Sequence, residues 1–287
     1  MSLAAYVQGC LVRMGGYQMT RECRKIVAAA AVVLCAASTA RAQSLAGGES
    51  FSVVGGQSVT AASGGVQTSI NGDVGVAPGA SITGFPAFAT TVPPFGVHNN
   101  DALAQSAQAA TLGLYNTIAA MGPGTAIGDE LSNQILGPGT YSIGAANIAS
   151  PGGPMSGNLT LSGAGTYIFK VASSLTANIN TSVTLLGVDP CQVFWQVTSA
   201  ATLNGVTFSG NVVAQAAVNL GSNAVLAGRA LTTSLGSVTL AGSNSVGGCA
   251  VAVPPVPTMP QWVVIVLAGL LVIGGMSALR RRRSLSS

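Results

Sequence analysis

The sequence predicts an all-β solenoid with one long α-helix packed alongside, and three observations carry that prediction. Runs in which Ser or Thr alternates with Val, Leu or Ile recur and break at Gly or Asn: Ser174-Leu175-Thr176, Ser182-Val183-Thr184, Thr202-Leu203-Asn204, Val218-Asn219-Leu220 and Ser237-Val238-Thr239-Leu240. A period of two sends the aliphatic set to one side of a strand and the hydroxyl set to the other. One coil cannot bury its apolar row alone, so stacked coils sharing a core are expected, with outward Ser and Thr in ranks about 4.8 Å apart. The third observation is a single Ala-rich segment of helical period interrupting the strands.

In chain order, Arg21-Glu22-Cys23-Arg24-Lys25, the apolar run Ile26 to Ala37 and the site Ala40-Arg41-Ala42 have the three parts of a secretory signal peptide. Residues 1–42 are therefore a presequence, with Met1 or Met19 as its start. The run is too short to span a bilayer, and a buried N-terminal helix is the plainer alternative.

Residues 43–250 fit one domain. Phe51-Ser52-Val53-Val54, Ser58-Val59-Thr60, Val66-Gln67-Thr68-Ser69-Ile70 and Asp73-Val74-Gly75-Val76 are short strands separated by Gly-Gly and Asn-Gly turns, and form the first coils. Asn99-Asn100-Asp101 then caps a helix over about 101–121, with Leu103, Ala107, Ala110, Leu114 and Ile118 at helical spacing and Gly122-Pro123-Gly124 as its stop. Strands resume at Pro138-Gly139-Thr140-Tyr141 and continue through Leu159-Thr160-Leu161, Tyr167 to Val171 and Val193 to Val197.

Residues 251–261 hold a stiff linker, Pro254-Pro255-Val256-Pro257. Within 262–287, Trp262 to Leu279 is an uncharged apolar run of transmembrane length, and Arg280 to Arg283 are expected to stay cytoplasmic.

The net charge of +4 and pI near 9.0 describe the ends of the chain. Between them stand two cations, Lys170 and Arg229, against Glu49, Asp73, Asp101, Asp129, Glu130 and Asp189. Nucleic-acid binding needs a basic stripe, and none is present. Lys170 and Arg229 are expected to snorkel or to pair with Asp189 or Glu130. Cys10, Cys23 and Cys35 belong to the presequence, which leaves Cys191 and Cys249 as a disulfide or as two buried thiols.

Catalysis finds little support. The acids are scattered: Asp73 and Asp189 read as turn residues, Asp101 as a cap, and Asp129-Glu130 as a solvated loop. His98 is the only histidine, and its spacing from Asp101 marks a helix start rather than a catalytic dyad. The sequence predicts no enzyme, no metal and no cofactor.

The stretch Ser69-Ile70-Asn71-Gly72-Asp73-Val74-Gly75-Val76-Ala77-Pro78-Gly79, then Ile82-Thr83-Gly84-Phe85-Pro86 and the Asp101-Ala102 helix with Tyr115-Asn116, resembles the bacterial and fungal ice-binding protein family, the antifreeze β-solenoids. The resemblance continues through Gly165 to Phe169, Cys191 to Val197, Phe208 to Val212 and Leu226 to Leu231. It implies an irregular triangular β-helix with the helix alongside, and an exported, monomeric protein whose partner is the ice crystal surface, where it inhibits growth or recrystallisation. A cell-surface structural or adhesive solenoid without ice affinity is the alternative. Separately, Val256 to Trp262, the apolar run and the Arg cluster resemble bacterial C-terminal sorting signals of the IPTL type, with Pro257, Thr258, Pro260, Trp262, Arg280 and Arg281 as the matching positions and Met259 where Leu is usual. That implies the inner membrane and a sorting protease as further partners.

Binding ice asks for a flat, rigid, uncharged surface. The candidate rank is Ser58, Thr60, Ser81, Thr83, Ser174, Thr176, Thr202, Asn204, Asn219, Ser237 and Thr239, with Val59, Ile82, Leu175, Leu203, Val218, Leu220, Val238 and Leu240 as its inward row. Uniting the first and last coils on one face rests on the family fold. A rival rank, Ser182, Thr184 and Thr207, lies on an adjacent face.

Overall fold

Every strand pairing among the described residues is parallel, so the chain climbs in coils rather than folding back in hairpins. A computed structural model describes residues 48–148 and 157–250. The chain divides into two units, Met1–Ala252 and Val253–Ser287, and the described residues all belong to the first. The expected signal peptide, the sorting motif and the apolar run at 262–279 lie outside them.

Three rows of strands run through the stack. One, the helix-side row, joins Gly139–Ile143, Tyr167–Val171, Val193–Val197, the ends of Thr207–Ala214 and Val225–Thr232, then Phe51–Gly55, Asp73–Val76 and Val97–Asn99. An open row joins Ala146–Ile148, Leu175–Ala177, Ala200–Leu203, Ala217–Leu220, Ser237–Leu240, Ser58–Ala61 and Ser81–Thr83. The third joins Asn158–Ser162, Ser182–Leu186, the starts of Thr207–Ala214 and Val225–Thr232, Ser245–Gly247, Thr68–Asn71 and Ala89–Thr91.

The Asn71-Gly72 turn thus does not join a hairpin: Thr68–Asn71 and Asp73–Val76 belong to different rows. Two eight-residue strands pass from the third row to the helix-side row without a loop, and they do so at Gly210 and Gly228, which lie opposite each other at φ 116° and 156°. A Cβ on Gly228 falls 2.0 Å from the Gly210 carbonyl oxygen, so the corner accepts no side chain there.

The inward residues of all three rows form one core. Within it Tyr141, Phe169 and Trp195 stack with ring centroids 5.4 and 4.0 Å apart, Phe208 meets Trp195 at a tilt with centroids 5.1 Å apart, and Trp195 Nε1 donates to the Ser209 carbonyl at 3.1 Å. Such contacts add about 0.5–1.5 kcal/mol per pair beyond burial.

The helix spans Ala102–Ala120 and packs on the outer side of the helix-side row from Asp73–Val76 to Tyr167–Val171. It buries Ala104, Ala107, Gln108, Thr111, Leu114 and Ile118, and the sequence register is off by one position at its start: Leu103 faces solvent and Ala104 faces the sheet. Phe51, Val54, Ile168, Phe194, Val213 and Leu231 form the complementary surface, which is why these strands are apolar on both sides.

Asp101 caps the helix by accepting from Ala104 N at 2.9 Å. That bond and the one to His98 hold its carboxyl below the usual carboxylate range. A depressed pKa means the contribution is present above the ordinary carboxylate range and lost as pH falls through the folded value. Asp101→Ala is expected to cost about 1 kcal/mol at neutral pH, with the deficit shrinking on acidification, as checked by denaturant titration at several pH values.

The charges within strands are not solvent pairs. Lys170 Nζ donates to the carbonyls of Ala119, Met121 and Gly122, filling the last acceptors of the helix. Arg229 is buried; its guanidinium donates to the carbonyls of Phe51 (3.0 Å), Glu49 (3.1 Å) and Cys249, and to Asn211 Oδ1 at 3.3 Å. Desolvation pushes its pKa down to about 10, with Glu49 acting the other way, so it stays charged at neutral pH. Asp73 is likewise no turn residue: it opens a strand, buried, and accepts from Gly96 N at 2.7 Å. Asp189 does cap a turn, accepting from Cys191 N at 2.9 Å. Cys191 and Cys249 form a disulfide with Cα atoms 5.4 Å apart.

Candidate functional site

The open row carries the candidate surface because its two sides differ at every residue. Val59, Ala61, Leu175, Ala177, Ala201, Leu203, Val218, Leu220, Val238 and Leu240 point inward and are buried, while the residues between them are partly or fully exposed. Ile82, in the last strand, is partly buried.

Register then builds the ranks. Asn147, Thr176, Thr202, Asn219, Thr239, Thr60 and Thr83 lie opposite one another in seven consecutive strands. Two residues earlier, Ala200, Ala217, Ser237, Ser58 and Ser81 form a second rank, within which Ser58 Oγ donates to Ser237 Oγ at 3.0 Å. Ser174 stands just before its strand and continues this rank by one position. Neighbours within a rank are about 4.8 Å apart and the ranks about 6.6 Å apart along the strands.

The Thr60–Thr239 pairing brings the first and last coils onto one surface. Asn204 departs from the sequence reading: its strand ends at Leu203, and Asn204 is exposed in the following turn, its N–H bonded to the Ala177 carbonyl. Asn147 is the member that sequence reasoning missed. Its signal was present in the alternation Ala146-Asn147-Ile148, but Asn in an Ala-rich stretch reads as a loop.

None of the strands of this row contains a charged or aromatic residue. The nearest charge marks its end: Glu130 bridges to Asn147, and its carboxylate accepts from Asn147 Nδ2 at 3.2 Å. The helix covers the first row, leaving the third as competitor. There Ser182 lies opposite Thr207 and Thr184 opposite Thr160, but Ser182–Leu186 meets Thr207–Ala214 at that single position. Large apolar side chains also protrude from this row: Leu186 is 54% exposed, and Ile135, in the short strand Ile135–Leu136 that pairs with Asn158–Ser162, is 73% exposed.

His98 sits between two acids, its Nδ1 2.8 Å from Asp101 and its Nε2 3.8 Å from Asp73, with its ring on Phe51. Both carboxylates are already engaged with backbone N–H groups, so the cluster fastens the helix start to the N-terminal strands Asp73–Val76 and Val97–Asn99. Among the described residues no group of three or more His, Cys, Asp and Glu is placed to hold a metal ion.

Residues 53–246 match the family model described as Ice-binding-like. An ice-binding protein of Nostoc sp. (strain HG1) is 32% identical over 174 residues, a match covering 58% of this chain and 61% of that relative's length. Among solved structures, an ice binding protein from an Antarctic Biological Consortium superposes with TM-score 0.64 at 30% identity, over 71% of this chain and 90% of that one. One from the Antarctic ascomycete Antarctomyces psychrotrophicus gives 0.62 at 30% identity, over 71% and 97%. Each of these relatives carries the name of an ice-binding protein.

Proposed function

Because the chain belongs to the ice-binding-like family, we propose that it adsorbs to ice through the open row and thereby inhibits crystal growth or recrystallisation. The observation that carries this reading is the single rank from Asn147 to Thr83, seven outward side chains drawn from both ends of the chain and free of charge. Ice offers a rigid, neutral lattice of donors and acceptors. A surface that matches it must hold hydroxyls and methyls at fixed spacing, and a parallel ladder on a shared core fixes them before contact, so little ordering entropy is lost on adsorption. The two Ala positions and two Asn positions make the ranks less uniform than a strict Thr-x-Thr ladder.

The reading extends to an exported, monomeric β-solenoid. Residues 1–42 serve as the export presequence, residues 43–250 as the ice-binding domain, and residues 251–287 as linker, sorting motif and membrane segment that bring the protein to the inner membrane and a processing protease. The Cys191–Cys249 disulfide supports an oxidising compartment.

Ice affinity capture of residues 43–250 is the direct test. Enrichment in the frozen fraction is expected; folded protein left wholly in the liquid sinks the reading and favours a structural or adhesive surface module.

A further inference from the structure

The stack has one seam. The described coils follow one another along the chain except where Ser237–Leu240 meets Ser58–Ala61, and there residues 179 apart in sequence become neighbours. Two fully buried threonines reach across this seam, one from each side. Thr232 Oγ1 accepts from Gly56 N at 3.1 Å and lies 3.3 Å from the Val54 carbonyl, to which it donates. Thr68 Oγ1 accepts from Asn244 N at 3.1 Å and faces Asn244 Oδ1 at 3.5 Å.

The core seldom uses a hydroxyl at these two ladder positions; among the described residues the other one is Thr181, which donates within its own turn to the Asn178 carbonyl. The ladder position of Thr232 is filled by Ala214, Val197 and Val171 in the preceding coils. The position of Thr68 and Asn244 is filled by Ala224 and Val206, each just before the paired residues Val225 and Thr207. Covalent continuity already limits how consecutive coils can slide. At the seam nothing covalent does so; Arg229 holds the helix-side corner through the carbonyls of Phe51 and Glu49, but the apolar contact beyond that corner, being non-directional, tolerates a slipped register. A buried hydroxyl does not, because a slip leaves its partners desolvated and unbonded.

We propose that Thr68 and Thr232 are positioning residues that dock the N-terminal coils on the C-terminal coil in one register, and so align Ser58, Thr60, Ser81 and Thr83 with Ser237 and Thr239. The functional part of this inference rests on the ice-surface reading; the alignment itself does not.

The test uses the full chain carrying Thr68→Val and Thr232→Val, which remove the hydroxyls at nearly constant shape. Thr181→Val, a buried hydroxyl in a covalently continuous coil, is the control. Amide hydrogen exchange at Gln57, Ala62 and Ser69, which bond to Gly236, Leu240 and Asn244 across the seam, is expected to rise on the order of tenfold or more. Asn204 and Gly221, within the C-terminal coils, should keep their protection, and Thr181→Val should leave the seam unchanged. Thermal hysteresis supplies the second arm. Thr60→Tyr should cost little further activity in the seam variant, whereas Thr202→Tyr should cost as much as in the parent.

Seam amides that stay protected, a loosening shared equally by all coils, or an equal effect of Thr181→Val overturns the proposal. Tyr substitutions that are silent in the parent while the seam amides loosen refute the ice surface and leave the positioning role standing. Should the double variant not fold, each single substitution is read in the same way.

Discussion

Thr239→Tyr is expected to abolish ice shaping while changing stability by no more than about 0.5 kcal/mol. Thr239 is exposed and lies in the fifth strand of the seven, with Asn219 on one side and Thr60 on the other. A phenol ring at that point stands above the plane of both ranks and holds the neighbouring side chains away from a flat lattice, whereas the inward residues Val238 and Leu240 are untouched. The matched control is Thr184→Tyr on the third row, expected to leave activity intact. Crystal morphology and thermal hysteresis of the two proteins, with thermal melts alongside, decide between the rows. Full activity of Thr239→Tyr together with loss in Thr184→Tyr moves the surface to the third row.

Removing the disulfide should have the largest effect on stability. Cys191 and Cys249 close a loop of 58 residues, and the chain-entropy account puts the stabilisation of such a closure near 4 kcal/mol. For a domain of this size that corresponds to a melting temperature lower by about 10 °C. The position adds a local reason: Cys249 supplies a carbonyl to Arg229, and Cys191 supplies one to Asn211, which itself accepts from Arg229. Cys191→Ser with Cys249→Ser, or reduction of the parent, should therefore lower the melting temperature, and mass spectrometry of the non-reduced protein should find no alkylatable thiol at either position. Two free thiols, or an unchanged melt on reduction, would falsify this.

What was legible in the sequence is what local physics decides. Alternation assigned the inward and outward sides of Ser58-Val59-Thr60 and Ser237-Val238-Thr239-Leu240 residue by residue, and Asp101 announced its helix by the chemistry of a cap. What was not legible depends on partners remote in sequence. Arg229 reads as a snorkelling or surface-paired cation until the carbonyls of Phe51 and Glu49, some 180 residues away, arrive to accept its hydrogen bonds. Lys170 reads likewise until the helix end reaches it. Asp73 looks like a turn because it follows Asn-Gly, but the corner there is made by Gly72, and the carboxylate belongs to a strand that fastens Gly96. The error of one position at Leu103 arises because the first turns of the helix carry alanine on several sides, at Ala102, Ala104, Ala107, Ala109 and Ala110, so one apolar register differs little from the next.

The seam also has a consequence for how the protein is made. The Ser58–Ala61 strand leaves the ribosome long before its partner at Ser237–Leu240, with 179 residues between Ser58 and Ser237. At about 5–20 residues per second the wait is roughly ten to forty seconds. Throughout it the first two coils have an unpaired sheet edge and half a core, the state in which strands join neighbouring chains instead of their own. The strand that joins the two parts of the seven-strand row, Ser237–Leu240, is the last of the seven to be made. No nascent or truncated chain that stops short of Leu240 can carry an uninterrupted surface, so synthesis itself keeps that surface from existing in any unfinished copy.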